Sequence, residues 1–363
     1  MHFRPRALTL AAVAALTLSA CGGSTTTGTD ATTDTDPTTE TTETTESTEA
    51  SGDDEVVTIY SGRNENLVGP LLEQLEEATG TTVEVRYGDS AELAAQLLEE
   101  GERTEADLFF SQDAGALGAL AKEGRLAELD DSLTGAVLDG YADEEGRWVA
   151  TSARARVIAY NPDLAAEVTQ MTSIDDILDP KYKGQVGIAP TNASFQSFVT
   201  ALRVTKGEDG AREWLERLAD NEPRIYEKNG LILDAVDSGE VALGLINHYY
   251  WFEKADEVGT DAMTAQIHFL NADDPGALIN VAGVGILEGA AESEAAASVV
   301  EYFLSEEGQQ YFTDETSEYP VVDGITLKEG LTPLSELEGS SVDLNQLDSL
   351  AETLALLEEV GLT

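Results

Sequence analysis

Apolar positions along the chain follow two alternating spacings. VVTIYSG (56–62) is a short β-branched run closed by Gly62, and ENLVGPLLEQLEEATG (65–80) carries apolar residues at helical spacing up to a glycine stop, so a strand followed by a helix is expected. TTVEVRYGD (81–89), AELAAQLLEEG (91–101), ADLFFSQ (106–112) and AGALGALAKEG (114–124) repeat the alternation twice more. Strands separated by helices of this length imply right-handed crossovers and a mostly parallel sheet covered on both faces. After WVATSARARVIAYNP (148–162) the pattern restarts with GQVGIAP (184–190), a helical stretch from Ser194 to Asn221, PRIYEKN (223–229), ILDAVDSGE (232–240) and VALGLINHYYW (241–251). INVAGVGILEG (279–289) reads as a strand, and AAESEAAASVVEYFLSEEGQQYF (290–312) as one helix that packs back on the first lobe. The fold class is therefore α/β with two lobes: 55–155 and 265–363 in the first, 156–264 in the second. The segments near 148–161 and 265–287 are the candidate crossings. Ligands of open α/β sheets sit beyond the carboxyl ends of strands, so the cleft collects the strand-to-helix loops.

The region ahead of this body has a different character. Arg4 and Arg6 precede an apolar run, Ala7 to Leu16, too short to span a bilayer, which reads as a secretory leader over 1–20. Leu18-Ser19-Ala20-Cys21 is similar to the bacterial lipobox, which makes Cys21 the expected lipidation site and accounts for the single thiol. Residues 21–54, rich in Thr, Ser, Gly, Asp and Glu without an aromatic, cannot bury apolar surface and are expected to form an acidic, disordered tether. No later segment is apolar for long enough to span a bilayer. The expected location is thus the outer face of the cell membrane, held by a lipid anchor.

Composition narrows the function. The chain has 363 residues, with 70 Asp+Glu against 20 Lys+Arg and a formal net charge of −50. The leader contributes +2 and the tether −9, which leaves −43 on the 309 residues from Glu55 onward. Such an excess repels phosphate backbones, so nucleic-acid binding is excluded, and it suits a saline habitat where screening relieves self-repulsion. One Cys excludes a disulfide framework or zinc ribbon, and three His, one of them His2, are too few for a three-His metal site. No GxSxG, GxxxxGK[ST] or HExxH pattern is present, and Gly283-Val284-Gly285 with Gly289 misses the dinucleotide spacing by one. His248 has no nucleophile motif nearby, and no enzyme activity is expected. A secreted hydrolase on an α/β scaffold is the reading from another class, and the missing nucleophile counts against it.

The specific loops are YSGRNENL (60–67), FFSQDAGALGAL (109–120), PTNASFQSF (190–198) and INHYYWFE (246–253), with SARARV (152–157) at a crossing. Two adjacent phenols, Tyr249 and Tyr250, follow a strand and precede a helix, so both can turn toward one ion. A hard trivalent cation can strip the phenol proton that is otherwise held to a pKa near ~10. The dipeptide alone reads more readily as an aromatic patch. PTNASFQSF places polar side chains at a helix start, which suits either ordinary capping or an anion. Arg154 and Arg156, two apart on an extended segment, face one side and serve either as charge partners in the cleft or as surface ion pairs.

With these loops in view, the chain from about Val56 resembles the ferric-iron-binding substrate-binding proteins of bacterial ABC importers, a branch of the type II periplasmic-binding-protein fold. KNGLILDAVDSGEVALGLINHYYW (228–251) carries the resemblance most strongly. The resemblance implies a hinge with a ligand cleft between lobes, Tyr249 and Tyr250 as ligands to Fe(III), and a synergistic phosphate or carbonate. It implies that Asn192, Ala193, Ser194, Asn229 and Asn247 line the anion site, with Arg154 or Arg156 as charge partner. It also implies delivery to ABC permease and ATPase subunits by what nothing requires to be more than a monomer. Two positions depart from the family: Asn64 stands where a His ligand is common and Gln112 where a Glu ligand is common. Glu65 and Asp113, one residue along, are alternatives, as are the anion, water, or another phenol such as Tyr60 or Tyr160. The alternative reading keeps the fold and takes an oxyanion, a phosphorylated metabolite or another metal.

Overall fold

The computed structural model describes residues 56–271, 274–337 and 342–363. The expected leader, Cys21 and the tether lie outside the described residues. Among the described residues no helix is long and apolar enough to cross a membrane.

The first set of elements runs β1 (Val56–Ser61), α1 (Glu65–Thr79), β2 (Thr82–Tyr87), α2 (Ser90–Glu100), β3 (Leu108–Ser111), α3 (Ala114–Lys122) and a short α4 (Asp131–Thr134). The long strand β4 (Val149–Tyr160) and short α5 (Pro162–Ala165) lead to the second set: β5 (Val186–Ile188), α6 (Ala193–Asp220), β6 (Arg224–Ile225), α7 (Asn229–Asp237), β7 (Leu243–Asn247) and α8 (Tyr249–Val258). Then β8 (Gln266–His268), β9 (Ile279–Ile286), α9 (Glu294–Leu304), α10 (Glu306–Asp314) and α11 (Leu350–Glu359) complete the chain.

The strands follow the order β2-β1-β3-β9-β4-β7-β5-β6, with β8 also on β4. The pairs β1–β2, β1–β3, β5–β6 and β5–β7 are parallel, as right-handed strand–helix–strand units require. The centre is antiparallel: β9 pairs with β3 and with β4, and β4 pairs with β7. The sheet is therefore mixed rather than mostly parallel, because the returning strand β9 slots in between the two sets. All twelve residues of β4 are buried. Its first half, to Ala155, pairs with β9, and its second half, from Arg156, pairs with β7. One continuous strand thus belongs to both lobes, and a third strand-like contact, Ala153 with Tyr319, runs beside it. These are the hinge segments.

The fold is two-lobed and of the type II class. Two apolar clusters fill the first lobe, one of them packing Ile59, Leu71, Phe110 and Phe303 together. The second lobe is packed around Phe195, Phe198, Trp214 and Leu245. Helix α7 lies so close to β7 that a Cβ at Gly244 would stand 2.3 Å from an Ile232 methyl, so only glycine fits there. The end of the chain differs from expectation. Leu344–Leu347 packs on α3, but Leu356, Leu357 and Leu362 of the last helix and tail join the second-lobe core against α6. Residues 265–363 are thus not confined to the first lobe; the apolar face of α11 is covered by the long helix of the second.

Candidate functional site

A cleft of roughly 520 Å³ opens where the strand ends of both lobes meet. The first lobe contributes Arg63, Asn64, Glu65, Tyr87 and Gln112, and the second Thr191, Asn192, Lys228 and Tyr250.

Strand β7 ends at Asn247, and helix α8 begins at Tyr249, so the tyrosine pair sits on the first turn, where successive side chains no longer alternate across a sheet. The two rings stack at 4.3 Å between centroids and 28° between planes. Tyr249 is buried and Tyr250 half-buried at the cleft wall. Burial pushes both phenols above the ordinary tyrosine range, Tyr249 well above it, while Arg154 and Arg63 pull them back to a lesser degree. Both are therefore neutral at pH 7.

Asn192 caps α6. Its Oδ1 accepts the Ser194 N–H at 3.1 Å, the Ser194 hydroxyl at 2.6 Å and Asn229 Nδ2 at 3.0 Å. Asn229 Nδ2 also donates to Ser194 Oγ at 3.1 Å, as does Arg156 Nη1 at 3.1 Å. Ala193, the first residue of α6, is buried beside them. Asn247 is the register partner of Arg156, and its Nδ2 is buried without a partner, as is Arg156 Nε. Arg156 faces the Phe195 and Phe198 rings and has no carboxylate against it; burial pushes its guanidinium down to about 9. A buried cation with free donors at a helix start can accommodate an anion.

Arg154 takes a different course. Its Nη1 donates to Glu318 at 3.1 Å, and Arg63 clamps the same carboxylate with two bonds, 3.0 and 2.8 Å. Ser152 adds a bond of 2.6 Å. Both arginines and Glu318 are buried, so neither Arg154 nor Arg156 is a surface ion-pair residue. Burial opposes the Glu318 charge, but the two guanidiniums outweigh it and hold the carboxyl below its ordinary value.

The remaining candidates separate. Glu65 and Gln112 line the cleft. Asn64 also lines it, but its side-chain oxygen accepts the Asn66 N–H as the cap of α1. Asp113 is buried, caps α3 through the Ala116 N–H at 3.0 Å and accepts the Ser197 hydroxyl at 3.2 Å, so its Oδ1 is already engaged. Tyr60 lies under the Arg86 guanidinium in a separate pocket with Glu99 and Arg103, and Tyr160 is in the second-lobe core. His248 is structural: its Nδ1 accepts the Ala155 N–H at 3.2 Å, and Nε2, which then carries the proton, donates to the Ser317 carbonyl at 2.9 Å. Arg63, Tyr87 and Glu318 were missed by sequence reasoning. Tyr87 had a signal, its place at the carboxyl end of a strand before a helix; Glu318, 255 residues from Arg63, had none.

A model of the bacterial extracellular solute-binding proteins matches residues 104–336. The chain belongs to that family. This solute-binding protein is 31% identical over 314 residues to the Fe(3+)-binding periplasmic protein of Serratia marcescens, covering 86% of this chain and 92% of that one. It is 32% identical to the major ferric iron-binding protein of Neisseria meningitidis serogroup A, covering 84% and 93%. Among solved structures, iron-bound HitA from Pseudomonas aeruginosa superposes with a TM-score of 0.80 at 33% identity, covering 84% of this chain and 99% of that one. A Trichodesmium protein in complex with iron and citrate superposes with a TM-score of 0.72 at 26% identity, covering 85% and 100%.

Proposed function

We propose that this solute-binding protein captures ferric iron outside the cytoplasm and delivers it to an ABC permease with its ATPase. The observation that carries the reading is the stacked Tyr249–Tyr250 pair at the strand-to-helix junction, opening on a cleft shared by both lobes. The names of the relatives support it. Fe(III) prefers anionic oxygen, and two phenolates supply it once their protons are displaced. The network of Asn192, Ser194, Asn229 and Arg156, with Asn247 beside it, takes a synergistic anion such as phosphate or carbonate, whose charge offsets the unpaired Arg156. Closure of the lobes on the ion excludes water and presents a surface made by both, which lets a permease tell the loaded form from the empty one. In the same proposal Cys21 is lipidated, residues 21–54 are the tether, the lobes divide within β4 near residue 156, and the protein acts as a monomer.

The test is a titration of metal-stripped protein with chelated Fe(III), with and without phosphate or carbonate. We expect a visible phenolate-to-iron band that saturates at one ion per chain and weakens in both Tyr249→Phe and Tyr250→Phe. Absence of a band from folded protein would overturn the reading.

A further inference from the structure

The iron reading leaves the first lobe with a single free carboxylate, Glu65, on the cleft as a strong ligand. Asn64 is used as a cap, Gln112 is neutral, and Asp113 is buried on the α3 cap and on Ser197. An ion held by Tyr249 and Tyr250 alone is held from one side, and it can close the lobes only if it also gains a contact on the other.

The carboxyl ends of β2, β1 and β3 lie side by side. Each opens on the cleft: Gln112 after β3, Arg63 to Glu65 after β1, and Tyr87 as the last residue of β2. Tyr87 is the register partner of Ser61, which ends β1, so its backbone stands one strand spacing, about 4.8 Å, from the start of the loop that leads to Glu65. The ring rests on the first-lobe core with Val83 and Val85. No hydrogen bond within the described residues engages its hydroxyl, and burial followed by the Glu65 charge pushes the phenol up. A half-buried phenol with an unused oxygen, facing a cleft that already holds Tyr250, is a ligand in waiting rather than a packing residue.

Resting on the iron reading, we propose that Tyr87 is a third phenolate ligand to the ferric ion, supplied by the first lobe opposite Tyr249 and Tyr250, with Glu65 as the carboxylate beside it. The step is a plain ligand exchange. The Tyr87 O–H bond breaks, an oxygen lone pair forms the bond to iron, the proton passes to water in the cleft, and iron stays trivalent. Three phenolates cancel the three charges of the ion and supply the negative charge that Gln112 does not provide, which leaves the Glu65 carboxylate and the anion to face Arg63 and Arg156.

The experiment uses the full chain, stripped of metal and titrated with ferric nitrilotriacetate in carbonate buffer. Tyr87→Phe removes one oxygen that bonds to nothing in the described fold, so unchanged thermal unfolding of the apo-variant is expected. The variant's phenolate-to-iron band should fall by about a third, from three phenolates to two, with one ion still bound. Its release of iron to a competing chelator should be about tenfold faster, the effect of losing ~1.4 kcal/mol. Glu65→Gln should speed release while keeping the band intensity. An unchanged band and release rate in Tyr87→Phe would overturn the third ligand and leave Tyr249 and Tyr250 standing. No band in the unsubstituted protein would instead overturn the iron reading itself.

Discussion

Glu318 and His248 show how the site is held from behind. Glu318 joins Arg63 from the loop after β1 to Arg154 on the crossing strand, and the neighbouring Ser317 carbonyl anchors His248, which leads into Tyr249. Such a buried ion cluster does not earn its place by stability alone, since desolvation offsets much of the attraction; here it fixes the hinge against the base of the tyrosine helix. His248 gives this arrangement a pH signature. Burial pushes its imidazole down to about 4, whereas an unfolded histidine titrates near ~6.5. Between these values the unfolded chain holds more protons than the folded one, so stability falls as pH falls. The contribution, about 3 kcal/mol, is complete above pH ~6.5 and gone by about pH 4. Urea unfolding of the unsubstituted protein and His248→Gln across that window checks it: carboxylate titrations are common to both and cancel. We expect the difference between the two curves to shrink as the pH drops; a constant difference would remove His248 as the cause. The tyrosine pair, the Asn192–Ser194 loop and Arg156 were legible as local motifs. Arg63–Glu318 was not, because it is a long-range pairing that no periodicity encodes.

Among the elements, the alternation of spacings foretold nearly every strand and helix before residue 290, and the exceptions have local causes. The stretch 290–312 reads as one helix but is two, because Ser305 leaves helical geometry and caps α10 through the Gly308 N–H. The place of β9 between the two parallel sets is invisible to pattern, since strand order depends on which edge the returning chain finds. Within α6 the backbone breaks at Gly207, with φ 73° and ψ 169°. That region is open to glycine almost alone. No atom lies within 4 Å of a Cβ there, so the cost of Gly207→Ala is purely backbone strain, on the order of 1–3 kcal/mol. Gly69, inside α1, also has open space around its Cβ, but it precedes Pro70, whose ring disfavours a Cβ on a helical neighbour, so Gly69→Ala should lose most of the usual gain of about 0.5–1 kcal/mol. The denaturant midpoint of Gly207→Ala should fall while that of Gly69→Ala stays close to the unsubstituted value, and an unchanged midpoint in Gly207→Ala would contradict the assigned break.

For the molecule as a whole, charge is the dominant surface fact. The body from Glu55 carries −43, and several of its cations are already engaged: Lys254 with Asp234 and Asp237, Lys206 with Asp175, Arg212 with Glu359. Salt acts on both kinds of interaction. It weakens surface pairs worth less than about 1 kcal/mol each, and it screens the repulsion among the unpaired carboxylates. Because the carboxylates far outnumber the cations, the second effect wins. We therefore expect the thermal midpoint to rise as KCl goes from 0.05 to ~1 M, while the screening length contracts to roughly 3 Å. KCl is the appropriate salt, since sulfate would stabilise by exclusion from the surface whatever the charge. The same field reaches the cleft, whose lining includes Glu65, Asp89, Glu92 and Glu227. Iron presented as an anionic chelate must approach against these groups, so its capture rate should rise with salt in parallel with stability. Stability that rises with salt while capture stays flat would place the repulsion on the outer surface and leave the cleft mouth electrostatically neutral to its cargo. A midpoint that falls in KCl would mean that the few ion pairs outweigh the excess charge.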